Sequence, residues 1–131
     1  MNTIDRVRHI QALSWEDWRE DGATPSDFAP ASADMCWIIG STGYLMARAV
    51  NRTTVELHAA ALPHTPGFVE STKMVMEFLR HQGCQRFVAI IPGYCRAAQL
   101  AAYRAGFRRC GVIHQAVRRD GVLHDLIVRE A

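Results

Sequence analysis

Glu56 and His58 stand two apart in the run TVELHAAAL, Thr54–Leu62. Side chains at that spacing on a strand share a face. A carboxylate and an imidazole on one face are groups that can take up or release a proton near neutral pH. If the strand is central, both its faces are covered, and polar groups there are best explained by a cleft; the alternative is a satisfied or solvent-facing pair on a less buried strand. Other polar side chains are more scattered. His64 lies in a loop between Pro63 and Pro66, while His114, His124 and Asp125 fall in the last segment, where a four-residue turn would let them pair. The four cysteines, Cys36, Cys84, Cys95 and Cys110, have neither C-x-x-C spacing nor metal-ligand spacing, so reduced thiols and no metal are expected.

Composition bounds what those groups can serve. A chain of 131 residues, 49% apolar and 21% charged, is expected to form one domain, residues 1–131, with a core of its own. The 15 basic and 13 acidic residues are spread along the chain for a net charge of +2, which argues for no nucleic-acid partner. A local basic bias, Arg104, Arg108, Arg109, Arg118 and Arg119, reads as solvated helix-end and hairpin-tip residues, with an anion-binding rim as the alternative. Residues Met1 to Ile10 alternate charged and apolar side chains, so no signal peptide or membrane span is expected and a cytoplasmic location follows. The apolar share also leaves room for a homo-oligomer interface.

The elements that must position these groups follow from periodicity. Ile4, Val7, Ile10 and Leu13 predict an amphipathic helix, and Ser14 followed by Asp17 predicts the start of a second one carrying Trp15 and Trp18. Asp21 to Asp34 has no period. Met35–Ile39, Tyr44–Val50 and Thr54–Leu62 predict three antiparallel strands. Met74, Val75, Phe78 and Leu79 predict a helix capped by Ser71 and ended by Gly83; Phe87–Ile91 then reads as a central strand. Ala98, Ala101, Ala102 and Ala105 form a stripe of small side chains that lets a helix sit close against a sheet, closed by Gly106-Phe107. Val112–Val117 and Val122–Val128 flank Arg118-Arg119-Asp120-Gly121 as a hairpin. The order strand, helix, strand, helix, hairpin implies an α/β (α+β) fold: a mixed, mainly antiparallel sheet with a central parallel pair and helices on both faces.

That order, together with AQLAAYRAGF at Ala98–Phe107 preceded by Pro92, resembles the GNAT (N-acetyltransferase) superfamily, particularly its divergent phage-encoded members. The resemblance implies transfer of an acetyl group from acetyl-CoA, or another acyl-CoA, by direct attack of a small-molecule or protein amine. It implies that backbone at Ala60, Ala61 and Leu62 meets the pantetheine arm, and that Gly67, Ser71 and Lys73 meet the pyrophosphate at a helix N-terminus. Glu56 or His58 becomes the base, Tyr94 or Tyr103 the acid, and Cys95 stands where the family often has asparagine. The sequence departs from the pattern twice. Pro-Gly-Phe-Val-Glu-Ser at Pro66–Ser71 replaces the usual glycine-rich phosphate loop, and Ala102 takes the usual place of the acid tyrosine. These departures favour the alternative, a catalytically inactive protein of this fold serving as a binding or assembly component, with phage assembly as one setting.

Overall fold

The structure is a computed structural model that describes residues 1–131. Helix α1 spans Thr3–Trp18, followed by strands β1 (Met35–Ile39), β2 (Gly43–Ala49) and β3 (Thr54–Ala61). Then come α2 (Phe68–His81), β4 (Arg86–Pro92), α3 (Arg96–Arg104), β5 (Arg108–Arg119) and β6 (Val122–Glu130). The strands form one six-stranded sheet in the order β1-β2-β3-β4-β6-β5, antiparallel throughout except for β3 and β4. No helix is long and apolar enough to cross a membrane.

Two clusters fix the helices to opposite faces. On one, Leu45, Ala47, Leu57, Phe87 and Ala89 of the sheet meet Val75, Met76 and Leu79 of α2 and Phe107 beyond α3. On the other, Tyr44 and Met46 meet Val7 and Ile10 of α1. Alternation along β2 therefore sends successive side chains into two different cores, which is why Tyr44–Ala47 is an unbroken buried run.

Where the segments differ from the sequence expectation, local hydrogen bonding gives the reason. The two short front helices are one. Ser14 does not cap a new helix; its hydroxyl donates to the Ile10 carbonyl at 2.7 Å and accepts from Trp18 Nε1 at 3.0 Å. Helix α2 begins at Phe68 rather than near Ser71, because Gly67 adopts a left-handed conformation (φ 69°) that turns the loop directly into the first helical turn. The final hairpin turns on Asp120-Gly121 alone, both at positive φ, instead of on four residues. A bulge between Ile113 and Val117 then shifts the register, and through it Asp125 accepts from the Gln115 amide at 2.9 Å and reaches His114 at 3.6 Å.

The hairpin tip is tied to the end of α1. Asp21 accepts from the amides of Asp120 and Gly121 at 3.0 and 2.8 Å, and Arg19 pairs with Asp120 at 2.8 Å. Arg119, expected as a solvated tip residue, is half-buried instead: it donates to the Glu16 carbonyl at 2.6 Å and packs its guanidinium over the Tyr94 ring at 4.7 Å.

Two outcomes are expected. Phe87→Ala, which empties a fully buried site between β3, α2 and α3, destabilises the protein by about 3–5 kcal/mol in urea unfolding. Asp21→Asn weakens the acceptor of the Asp120 and Gly121 amides, so those two amides lose protection in hydrogen exchange while β4 amides keep theirs.

Candidate functional site

The parallel pairing of β3 and β4 is short. Thr54, Val55 and Glu56 face Arg86, Phe87 and Val88, and from Leu57 onward the strands share no paired residues. Over that length β3 stays in register with β2 through Ala61, while β4 turns to pair with β6 from Val88 to Pro92. The edge of Leu57–Ala61 that faces β4 is therefore left without a strand partner. A cavity of about 800 Å³ fills the gap, a volume typical of small-molecule sites.

Ala59, Ala60, Ala61 and Leu62 line one side of it, and Ala89, Ile90, Ile91 and Pro92 the other. The alanine stripe of α3 closes against the sheet only in part: Ala105 joins the core cluster with Leu57, Phe87 and Ala89, and Ala102 packs against it. Ala98, Ala101, Ala102 and Ala105 all line the cavity, and α3 has no fully buried residue within its own span except at its cap, Ala105. Small side chains here give contact at Ala102 and Ala105 and leave room at Ala98 and Ala101. Gln99 holds the helix at that distance, donating to the carbonyls of Ile91 and Pro92 while accepting from Arg129 Nε at 2.6 Å.

The proton-handling candidates separate. His58 lines the cavity with its ring between Trp18 and Tyr44, at 5.5 and 5.8 Å between centroids; its Nε2 is sealed from solvent and unpaired. Burial, reinforced by the Arg48 charge, pushes its pKa down to about 4, so the imidazole is neutral at pH 7. Glu56 does not reach the cavity: it sits at the closed end, opposite Arg48 and Val88 in the register. Tyr94 lines the cavity, and its hydroxyl donates to the Arg19 carbonyl at 2.9 Å; burial raises its pKa. Tyr103 lies outside the cavity, 54% exposed and covered by Arg108 at 4.5 Å, as a one-residue offset along a helix requires. Cys95 lines the cavity as a buried thiol directed at the Asp17 carbonyl (3.7 Å), and burial raises its pKa to about 11.

At the mouth, a shallow hollow surrounds the start of α2. The amides of Phe68, Val69 and Glu70 have no acceptor within the protein, since Gly67 supplies no side-chain cap and the first intrahelical bond comes from Ser71. Gly67 and Lys73 line this hollow, and Ser71 does not. Arg104, from the last turn of α3, lines it as well. In the sequence Arg104 was one of five clustered arginines; only the crossing of α3 past the start of α2 sets it apart. Against two cations stands one carboxylate, Glu70, so three free amides and a net positive charge remain to receive an anion. His64, at positive φ, lines the cavity rim near this end. Trp18, Ser14 and Asp17 also line the cavity, and sequence reasoning missed them as site residues because their signal there was that of a helix start.

No protein-family model matches the sequence, and no curated protein matches it. Solved structures do match it in shape. A Streptococcus mutans protein superposes with a TM-score of 0.73 at 14% identity, covering 98% of this chain and 92% of its own. A ribosomal-protein-S5-alanine acetyltransferase from Vibrio fischeri gives 0.72 at 10% identity, over 100% of this chain and 89% of its own. A GNAT-family acetyltransferase from Bacillus anthracis gives 0.60 at 13%, over 69% of this chain; the chain spans only 57% of that structure. At these identities the likeness is one of fold, and the fold is the GNAT fold: six strands with one parallel pair, and helices on both faces.

The neutral buried His58 sets a pH dependence. Above pH 6.5 the ring is uncharged folded or unfolded; between 6.5 and about 4 the unfolded chain binds a proton that the folded chain does not. Stability is therefore lost as pH falls through that window, by about 3 kcal/mol at its lower end. Urea unfolding at pH 7.5 and 4.5 is expected to show a smaller acid-induced loss in His58→Phe than in the wild type. The part due to Asp21, Asp34 and Asp125, whose pKa values are lowered, persists in both.

Proposed function

We propose that this chain is an acyl-CoA-dependent N-acyltransferase, transferring an acetyl group from acetyl-CoA to an amine by direct attack. The observation that carries the reading is the gap between β3 and β4, with the start of α2 and its three free amides at the mouth. An acyl-CoA fits the residues present. The unpaired β3 edge at Leu57–Ala61 suits the amides of pantetheine, which need partners once water is excluded. The amides of Phe68–Glu70, with Lys73 and Arg104, suit a pyrophosphate. When bound, the acyl-CoA supplies an activated thioester carbonyl.

The chain's own part is to hold the amine and handle protons. His58, neutral at pH 7, is the one cavity side chain with a solvent-sealed, unpaired nitrogen, and this nitrogen can accept a hydrogen bond from the amine. Glu56 stands too far toward the closed end to act directly, and Tyr94 is the phenol the cavity offers to the departing thiolate. With its pKa raised to about 11, Cys95 stays a thiol at neutral pH, which argues against an acyl-cysteine route. The acceptor named for one structural neighbour, ribosomal protein S5, makes a protein amine one candidate substrate, and a small-molecule amine is another. One observation favours the second reading, an inactive binding or assembly protein: Tyr94 spends its proton on a backbone carbonyl, and Ala102 offers no acid.

Calorimetric titration with acetyl-CoA decides between binding and none, and release of free thiol in the presence of amines decides between turnover and none. Micromolar affinity is expected for the wild type, and Arg104→Glu, an exposed substitution, is expected to weaken it at least about tenfold by placing a second carboxylate at the hollow. No heat and no thermal shift at millimolar acetyl-CoA would remove the acyltransferase reading; binding without thiol release would leave the inactive reading in its place.

A further inference from the structure

The cavity has two unlike walls. Toward α3 it is alanine and leucine, with Arg96 and Arg104 the only cations lining it. On the α1 side stand Trp18, Tyr94, Ile90 and His58, and the only acidic residue lining the whole cavity, the exposed Asp17. Ile90 is 40% exposed on the stretch of β4 that pairs with β6 alone and has left β3. An apolar side chain left open at that position is accounted for by an apolar occupant. Trp18 is held rigidly, bonded to Ser14 and packed edge-on against Trp15 and Phe28 at 4.7 and 5.2 Å. His58 contributes a sealed, unpaired Nε2, a polar atom whose burial costs free energy until something pairs with it.

We infer that the α1 side of the cavity binds a primary amine carried on an apolar aryl-alkyl group, its ring against Trp18 and Ile90, its ammonium drawn by Asp17 and its N–H presented to His58. A polyamine would find one carboxylate for several charges. An anionic amine would bring its carboxylate to Asp17 on a wall whose other polar groups, the His58 imidazole and the Tyr94 hydroxyl, carry no charge, the cavity's two arginines standing toward α3. Arg119 is not available to offset this, since its guanidinium is spent on the Glu16 and Arg19 carbonyls and the Tyr94 ring. As substrate selection this rests on the acyltransferase reading. The bound ammonium would first lose one proton to solvent, freeing its lone pair; the nitrogen would then bond to the acyl carbon, the carbon–sulfur bond would break with its electron pair leaving on sulfur, and the nitrogen's second proton would end on that sulfur, giving amide and thiol. As a binding site it does not depend on that reading.

The test is calorimetry on the full chain at pH 7.5 with 2-phenylethylamine, spermidine and glutamate, and separately with acetyl-CoA. Binding of 2-phenylethylamine at least about tenfold tighter than either comparator, and weakened about tenfold by Asp17→Asn, is expected for one lost charge partner. In thiol-release kinetics Asp17→Asn should raise KM for 2-phenylethylamine and leave kcat near that of the wild type. Equal affinity for the three amines, or an unchanged affinity in Asp17→Asn, overturns the inference. Heat with acetyl-CoA and none with 2-phenylethylamine overturns it alone, whereas heat with the amine and none with acetyl-CoA upholds the amine site and removes acyl transfer.

Discussion

The parallel contact between β3 and β4 ends at Glu56 and Val88 because β4 has a better partner to follow. Antiparallel pairing with β6 begins at Val88 and runs to Pro92, and β3 remains bound to β2 along its whole length. Each strand keeps one satisfied edge and gives up the other, so opening the sheet costs only the backbone bonds between them. Everything else in the site is arranged around that loss. The alanines of β3 and α3 line the gap, Gln99 and Arg129 keep α3 from collapsing into it, and Phe68 with Thr65 frames its mouth against Gly43, where a β-carbon would come within 3.1 Å of Thr65.

The two ends of the gap are electrostatically opposite. At the start of α2, free amides and two cations face solvent, tempered by Glu70. On the α1 side, a neutral imidazole and a phenol sit among aromatic rings, with the exposed Asp17 the one acidic residue of the lining. That polarity depends on a contact far along the chain. The Asp120-Gly121 turn and Arg119 grip residues 16–21, so the last hairpin determines where Asp17 and Trp18 stand relative to β3. The Tyr94 ring is held in the same clasp by Arg119 on one side and His124 at 5.0 Å.

Much of the architecture is written locally. Strand positions, the parallel crossover and the Gly106-Phe107 helix end all follow from period and turn chemistry. The structure bears these out, with Phe107 donating its amide to Ala102 after Gly106 at φ 102°. Ser14 misled as a helix start because its hydroxyl satisfies the same valence inside a helix, by bonding back to Ile10, as it would at a cap. Likewise Glu56 and His58 share a face, as the period-2 rule requires, yet only His58 meets the cavity. The strands part between them, and no spacing within β3 reports what β4 does.

The sequence by itself determined which segments are helix or strand, which residues face together, and hence the element order that admits this fold. It did so because period, caps and turns are properties of neighbouring residues. Only the tertiary structure decided that the alanine stripe borders a void, that Arg104 serves the start of α2, and that Trp18 and Asp17 belong to the site. Those facts depend on how far apart separately formed elements come to rest, which is set by β6 drawing β4 aside and by the hairpin tip holding α1. Both contacts join residues remote in sequence, and a single chain read along its length carries no distance between them.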